Sequence, residues 1–180
     1  MAFVVKNVNS RRVAGPTSGA GQAVLQQWIQ VSRPALVLPQ STTQQLFRIY
    51  GGRVLVHLLL GEVTVVMTST DPGLSIDYAA LTNASALVGT AYALASTLNI
   101  ASDEVGTLFS VEGDGSAIIS GNQVAGTVEA FSTGFVAAQG EIYATTTGNN
   151  TTGQIKWDLW YQPLDAGAYV SAVSVATAAI

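Results

Sequence analysis

The pattern of apolar and polar positions divides the chain near residue 46. Beyond it, β-branched and aromatic residues fall in short runs separated by Gly, Asn and Asp, which is the spacing of strands and turns rather than of helices. Residues 155–162 show the cleanest period of two. Ile155, Trp157, Leu159 and Tyr161 lie on one face; Lys156, Asp158, Trp160 and Gln162 lie on the other. Further strands are predicted over 46–50, 53–60, 62–68, 74–79, 90–100, 105–112, 117–120, 124–130, 135–147 and 169–177. Residues 53–60 and 62–68 flank Gly61 as a hairpin or as one bulged strand. They lack strict alternation, so both of their faces are expected to be covered. Residues 135–147 fit a strand pair or one long strand, and residues 148–153 fit a hairpin loop. Asp71-Pro72-Gly73 supplies a turn, because Pro fixes φ and Gly admits positive φ. The Ala-rich stretch 78–96 leaves room for one short helix. The expected fold is all-β, an antiparallel β-sandwich or jelly-roll-like barrel, with an extended N-terminal arm.

The arm is expected over residues 1–45 and the body over 46–180. Residues 1–8 fit a short strand, and residues 15–21 have the composition of a flexible linker. Residues 24–31 fit a strand or a short helix, and Pro34 and Pro39 bracket an extended piece suited to a sheet edge.

Charge sharpens this division. Residues 1–53 hold six of the seven basic side chains, Lys6, Arg11, Arg12, Arg33, Arg48 and Arg53, and no acid; the remainder holds all eleven acids and only Lys156. A basic arm on an acidic body favours an acidic partner surface. Six bases spread over 53 residues, with few aromatics among them, fall short of a nucleic-acid-binding patch. Charged residues make up 10% of the chain, against about 25% in ordinary soluble domains, and mean hydropathy is +0.37. So apolar a chain is expected to bury part of its surface in a homo-oligomer or larger assembly. No membrane span absorbs the hydrophobicity, since the apolar run 54–60 is interrupted by His57 and falls well short of ~20 residues. No apolar segment follows the N-terminal bases, so no secretory signal is predicted.

Candidate chemistry is thin. There is no cysteine, and the single histidine, His57, excludes two-histidine metal sites. His57 lies within an apolar strand, which suits a hydrogen-bonded core or interface histidine better than a catalytic base. The glycine-rich 15–21 stretch lacks the Gly-Lys-Ser/Thr of a phosphate loop. Asp103-Glu104 and the Glu112/Asp114 pair are the carboxylates to consider for Ca²⁺ or acid–base work, yet all four sit beside turn residues where solvated carboxylates are usual. The Asn-x-Ser/Thr matches at Asn83 and Asn150 are explained by turn chemistry. No enzymatic role, cofactor or metal is predicted. Trp160, on the polar face of its strand, is a candidate contact residue for a subunit interface or, with less weight, a sugar ring.

The stretch Phe47-Arg48-Ile49-Tyr50-Gly51-Gly52-Arg53-Val54-Leu55-Val56-His57-Leu58-Leu59-Leu60-Gly61-Glu62-Val63-Thr64 resembles head-associated proteins of tailed bacteriophages. So do Leu98-Asn99-Ile100-Ala101 with Val105-Gly106-Thr107-Leu108, and Gly153-Gln154-Ile155-Lys156-Trp157 with Leu164-Asp165-Ala166-Gly167-Ala168. The resemblance covers most of the expected body and implies a capsid decoration, or cement, protein on the outer surface of the major capsid protein shell, often as a homotrimer. It carries over no catalytic residue.

The expected function is therefore a structural virion protein, made in the host cytoplasm, that stabilises an assembled capsid without contacting nucleic acid or membrane. Strands 53–68 and 169–180 would associate copies about a local axis, with His57, Trp160 and Tyr169 as candidate interface residues. Lys6, Arg11, Arg12 and Arg33 of the arm would meet the major capsid protein. The alternative is a tail- or fibre-associated β domain that binds host surface glycans on Trp160.

Overall fold

The structure is a computed structural model and describes residues 28–39, 41–67, 73–82, 86–87, 91–116, 118–120, 134–148 and 152–174. These form twelve strands: β1 (Ile29–Val37), β2 (Thr43–Tyr50), β3 (Val54–Val65), β4 (Gly73–Thr82), β5 (Ala86–Leu87), β6 (Tyr92–Asn99), β7 (Leu108–Ser110), β8 (Ile119–Ser120), β9 (Phe135–Ala137), β10 (Gly140–Thr146), β11 (Gln154–Pro163) and β12 (Tyr169–Ala172). The fold is all-β, and two antiparallel sheets pack face to face as a β-sandwich. Sheet one runs β1-β11-β3-β7-β8, with β9 beside β7 along the same edge of β3; sheet two runs β12-β2-β10-β4-β5, with β6 also on β4. Among the described residues there is no helix, so the helix allowed within 78–96 is absent from the described part of that stretch.

The core lies between the sheets. Phe47, Ile49, Leu74, Ile76 and Ile142 from sheet two meet Val54, Val56, Leu59, Phe109, Ile155, Trp157 and Leu159 from sheet one. The alternation expected of β11 holds, with Ile155, Trp157, Leu159 and Tyr161 all buried. Gly61 is a packing residue rather than a turn. It pairs with Trp157, and a Cβ there would stand 2.8 Å from the Trp157 ring, so only glycine admits the indole beside β3. Residues 53–60 and 62–68 accordingly form one strand within the described residues, bulged opposite Trp160/Tyr161 and again opposite Gln154/Ile155.

Three expectations need correction. Residues 29–37 are not arm: β1 pairs with β11 from Ile29↔Tyr161 to Val37↔Gln154, so the body begins at β1. Pro34 is tolerated because β1 is an edge strand and its register shifts between Arg33 and Leu36. Residues 135–147 form two strands in different sheets, β9 on β3 and β10 between β2 and β4. The 148–153 connection joins β10 in sheet two to β11 in sheet one, so it is a crossing between sheets and not a hairpin. The predicted features at residues 1–8, 15–21, Asp71-Pro72, 83–85 and 124–130 lie outside the described residues.

Candidate functional site: the outer faces of the two sheets

Alternation along β11, β3 and β1 sets which residues point away from the core on sheet one. Trp160 pairs with Leu58 on one side and Gln30 on the other, while its neighbours Leu159 and Tyr161 are buried. The same outer face carries Leu55, Leu58, Leu60 and Leu108, all half-buried, and the exposed Val136. His57 stands at the bulge that separates the Tyr161↔Val56 and Trp160↔Leu58 pairs. The Trp28 ring, 50% exposed, lies against the imidazole at a tilt of 34°. Burial lowers the His57 pKa, offset in part by a hydrogen bond with Gln162, and its Nε2 is buried without a partner. The imidazole is therefore neutral at pH 7. His57 and Trp160 share one outer face, as an interface assignment requires.

At the centre of this face lies Asp158, only 6% exposed. It accepts hydrogen bonds from Ser32 Oγ and Gln30 Nε2, the latter at 3.2 Å, and Lys156 Nζ lies 2.8 Å from its Oδ2. The Lys156 pKa is raised, first by its hydrogen bond to Asp158 and also by the charges of Asp158 and Glu62. A carboxylate this well covered on the outside of a sheet is held by its neighbours, leaving the surrounding leucines as the dominant surface.

Tyr169 is placed elsewhere. It is half exposed on the outer face of sheet two, where its ring stacks on Tyr50 at 4.9 Å and 15°, and the Arg48 guanidinium sits 5.2 Å from the Tyr50 ring centroid. Arg48 lies 3.4 Å from Glu141, which is 4% exposed and accepts a hydrogen bond from Gln45. Ser75, Asp77, Tyr143 and Thr145 complete this face. Asp77 accepts from Ser75 and Thr145, and burial raises its pKa. Within the expected interface stretches 53–68 and 169–180, β3 and β12 thus belong to different sheets, and Tyr169 does not join His57 and Trp160; residues 68 and 175–180 lie outside the described residues.

Arg33 is the candidate that the structure relocates most. It is 1% exposed, on the inner side of β1 opposite Trp157, and its Nε donates to Val173 O at 2.9 Å. Burial lowers its pKa to about 10, so it remains charged at neutral pH. It ties the edge of sheet one to the chain just past β12 and is not available to a partner. Charged side chains are almost never buried this completely, so no sequence signal marked it. Lys6, Arg11 and Arg12 lie outside the described residues.

Of the considered carboxylates, Asp103 is 3% exposed with Oδ2 unpartnered, and burial raises its pKa. Asp114 Oδ1 accepts from Ser116 N, and Glu112 Oε2 accepts from Ser116 Oγ. Among the described residues no group of three or more His, Cys, Asp or Glu side chains is arranged to hold a metal. Asp158 and Glu141, the two nearly buried outer-face carboxylates, were not singled out by sequence reasoning; the alternation of β11 placed Asp158 on the polar face without indicating its cover. No family model matches the chain, and no curated protein matches it.

Proposed function

We propose that this chain is a structural protein of a tailed-phage particle that binds the outer surface of the assembled capsid shell and cements it. The observation that carries the reading is the outer face of sheet one. Leu55, Leu58, Leu60, Leu108, Trp28, Trp160 and Val136 present an apolar surface on a chain with only 10% charged residues. Such a face is stabilised by being covered, and the reading assigns its cover to association of copies, with a trimer favoured. The bases Lys6, Arg11 and Arg12 of the N-terminal arm would then meet the major capsid protein. Arg33 is withdrawn from that role because it is buried. A protein that binds the assembled shell better than free subunits shifts the equilibrium toward the shell by linkage.

The test is co-sedimentation with mature capsid shells that lack this protein. Saturation at one copy number set by the local symmetry axes of the lattice is expected; no binding at low salt would overturn the reading. Deleting residues 1–22 should weaken attachment while the sandwich stays folded.

A second reading, glycan binding by a tail- or fibre-associated domain, draws support from the exposed Trp28 indole on the same face as Trp160, Gln30 and Gln162. Indole faces flanked by amides suit a sugar ring. Binding on a glycan array that disappears in Trp28→Ala and Trp160→Ala would favour it; silence across the array would remove it.

A further inference from the structure

His57 is the only histidine of the chain, which also lacks cysteine, so no other side chain has an ordinary pKa between about pH 5 and 8. It stands where β3 bulges, between the Val56↔Tyr161 and Leu58↔Trp160 pairs, and has no paired residue of its own on β11. Trp28, the residue directly before β1, reaches across β11 and lays its indole against the imidazole. Half of Trp28 remains exposed, so the indole covers the outer face of sheet one without belonging to the core.

The two ring nitrogens have different surroundings. The hydrogen bond with Gln162 raises the His57 pKa, which is the effect of an amide oxygen accepting from an imidazole N–H. Nε2 has no partner, so Nδ1 makes that bond. Nε2 therefore keeps the bare lone pair of the neutral ring, buried, and is the atom an added proton joins. Its neighbours among the described residues give that proton no acceptor and no countercharge. β11 brings Trp160 and Gln162, β1 brings Trp28 and Gln30, and β9 brings Phe135 and Val136, none of them charged. Further along β3 and β11 lie Arg53, paired with Asp165, Asp158, paired with Lys156, and Glu62; none of them contributes to the His57 shift.

Two effects compete when the ring is protonated. An indole face attracts a cation. Against that, a charged Nε2–H is a donor that needs an acceptor, and beneath the indole it has none. Burial is the larger influence on His57 and lowers its pKa, so the covered ring resists protonation. Water reaches Nε2 once the indole lifts, and the resistance disappears. By linkage, a ring that resists protonation while covered favours the uncovered state once protonated. The covered state is fully stable above the ordinary value of 6.5 and loses stability as pH falls from there through the lowered value.

We infer that His57 and Trp28 form an acid-released latch at the start of β1: the neutral imidazole seats the indole on the outer face of sheet one, and protonation at Nε2 lifts it. Release frees the residue next to the first rung of the β1–β11 ladder, Ile29↔Tyr161, and places a positive charge among Leu55, Leu58 and Trp160. A partner seated on that face then meets a displaced indole and an unpaired cation, which makes the contact acid-labile. The inference goes beyond the capsid reading and does not depend on it, since its test uses the free protein alone.

The experiment is acrylamide quenching of tryptophan fluorescence in the full chain, titrated from about pH 8 down to about pH 4.5. Quenching should step up with a midpoint below 6.5, by at most about twofold for Trp28, since a half-exposed indole becomes fully exposed. The step should be lost in His57→Gln, whose amide does not titrate. It should also be lost in Trp28→Phe, because Trp157 is buried at every pH of the range. Quenching that stays flat or falls on acidification would overturn the inference, and so would an equal step in His57→Gln. A step that survives in Trp28→Phe would place the moving indole at Trp160 and overturn it too. Should His57→Gln loosen the body, seen as stronger quenching at every pH, Gln162→Met keeps the histidine and removes its acceptor. The midpoint should then move to lower pH, and an unmoved midpoint would be decisive against His57 as the titrating group.

Discussion

The two sheets share a core but face outward with opposite chemistry. Each outer face carries one nearly buried carboxylate, Asp158 on sheet one and Glu141 on sheet two, and each is held by a base and an amide. What surrounds them differs. Asp158 sits among half-buried leucines and two indoles, whereas Glu141 sits among Ser75, Asp77, Tyr143, Thr145 and the Arg48–Tyr50–Tyr169 stack. The carboxylates are alike, and the apolar surround is what sets sheet one apart in the proposed reading of it as a contact surface. Sheet two turns mainly polar side chains outward, several of them hydrogen-bonded to one another. Sheet one gains by being covered.

Placing charge on both faces separates them most sharply. Leu58→Lys with Leu60→Lys should weaken self-association or shell attachment by about two orders of magnitude, while thermal unfolding changes little. Ser75→Lys with Thr145→Lys, on sheet two, should leave association unchanged. Sedimentation equilibrium and shell co-sedimentation read both, and equal losses from the two pairs would erase the distinction.

Removing the sheet-two carboxylate comes next. Glu141→Ala takes the acceptor away from Arg48 and Gln45 and should cost about 2 kcal/mol in urea unfolding, with no effect on association. A loss of association instead would give sheet two a contact role.

Asp103 offers a smaller change in the opposite direction. Its folded-state pKa is raised by burial, so ionisation destabilises the fold as pH rises from the unfolded value of 3.8 through the folded value. Asp103→Asn should add about 1 kcal/mol of stability at pH 7 and flatten that part of the pH dependence, measured by urea midpoints from pH 4 to 7. Because Asp103 belongs to neither outer face, association should not respond.

The smallest effect is expected at Asp165. Its carboxylate accepts from Arg53 N, Nε and a terminal guanidinium nitrogen, which together hold its pKa down at about 2. The bridge contributes above pH 4 and is lost as pH falls through about 2. Asp165→Asn should remove that acid-side slope from thermal melts and shift the neutral-pH melting temperature only slightly.

The sandwich was legible because strand period and turn chemistry are local. Ile155, Trp157, Leu159 and Tyr161 announce a buried face without reference to any neighbour, and the structure buries all four. Of the two readings open at Gly61, hairpin or one bulged strand, the second holds, and its reason, the Trp157 ring across the pair, is nearly a hundred residues away. Arg33 was placed in an arm because a base directly before a proline, in a stretch without acids, reads as exposed chain; its carbonyl partner at Val173 is a tertiary contact that the sequence pattern does not encode. The split of 135–147 across two sheets is likewise decided by packing, since β9 and β10 find different partners, β3 for one and β2 and β4 for the other. Of the candidate surface, Trp160 and His57 were visible by strand position. The grouping with Trp28, and the separation from Tyr169, needed the sheet order.

The attachment of β1 also fixes how the molecule carries load. Whatever grips the N-terminal arm pulls on Trp28 and so on the first pair of the β1–β11 ladder, Ile29↔Tyr161. The ladder continues to Val37↔Gln154, and four residues in from its start the Arg33 guanidinium reaches across to Val173 beside the other sheet. Tension on the arm is thus shared between both layers of the sandwich at its open edge. The edge strand, usually the first to peel from a sheet, is riveted to the layer opposite.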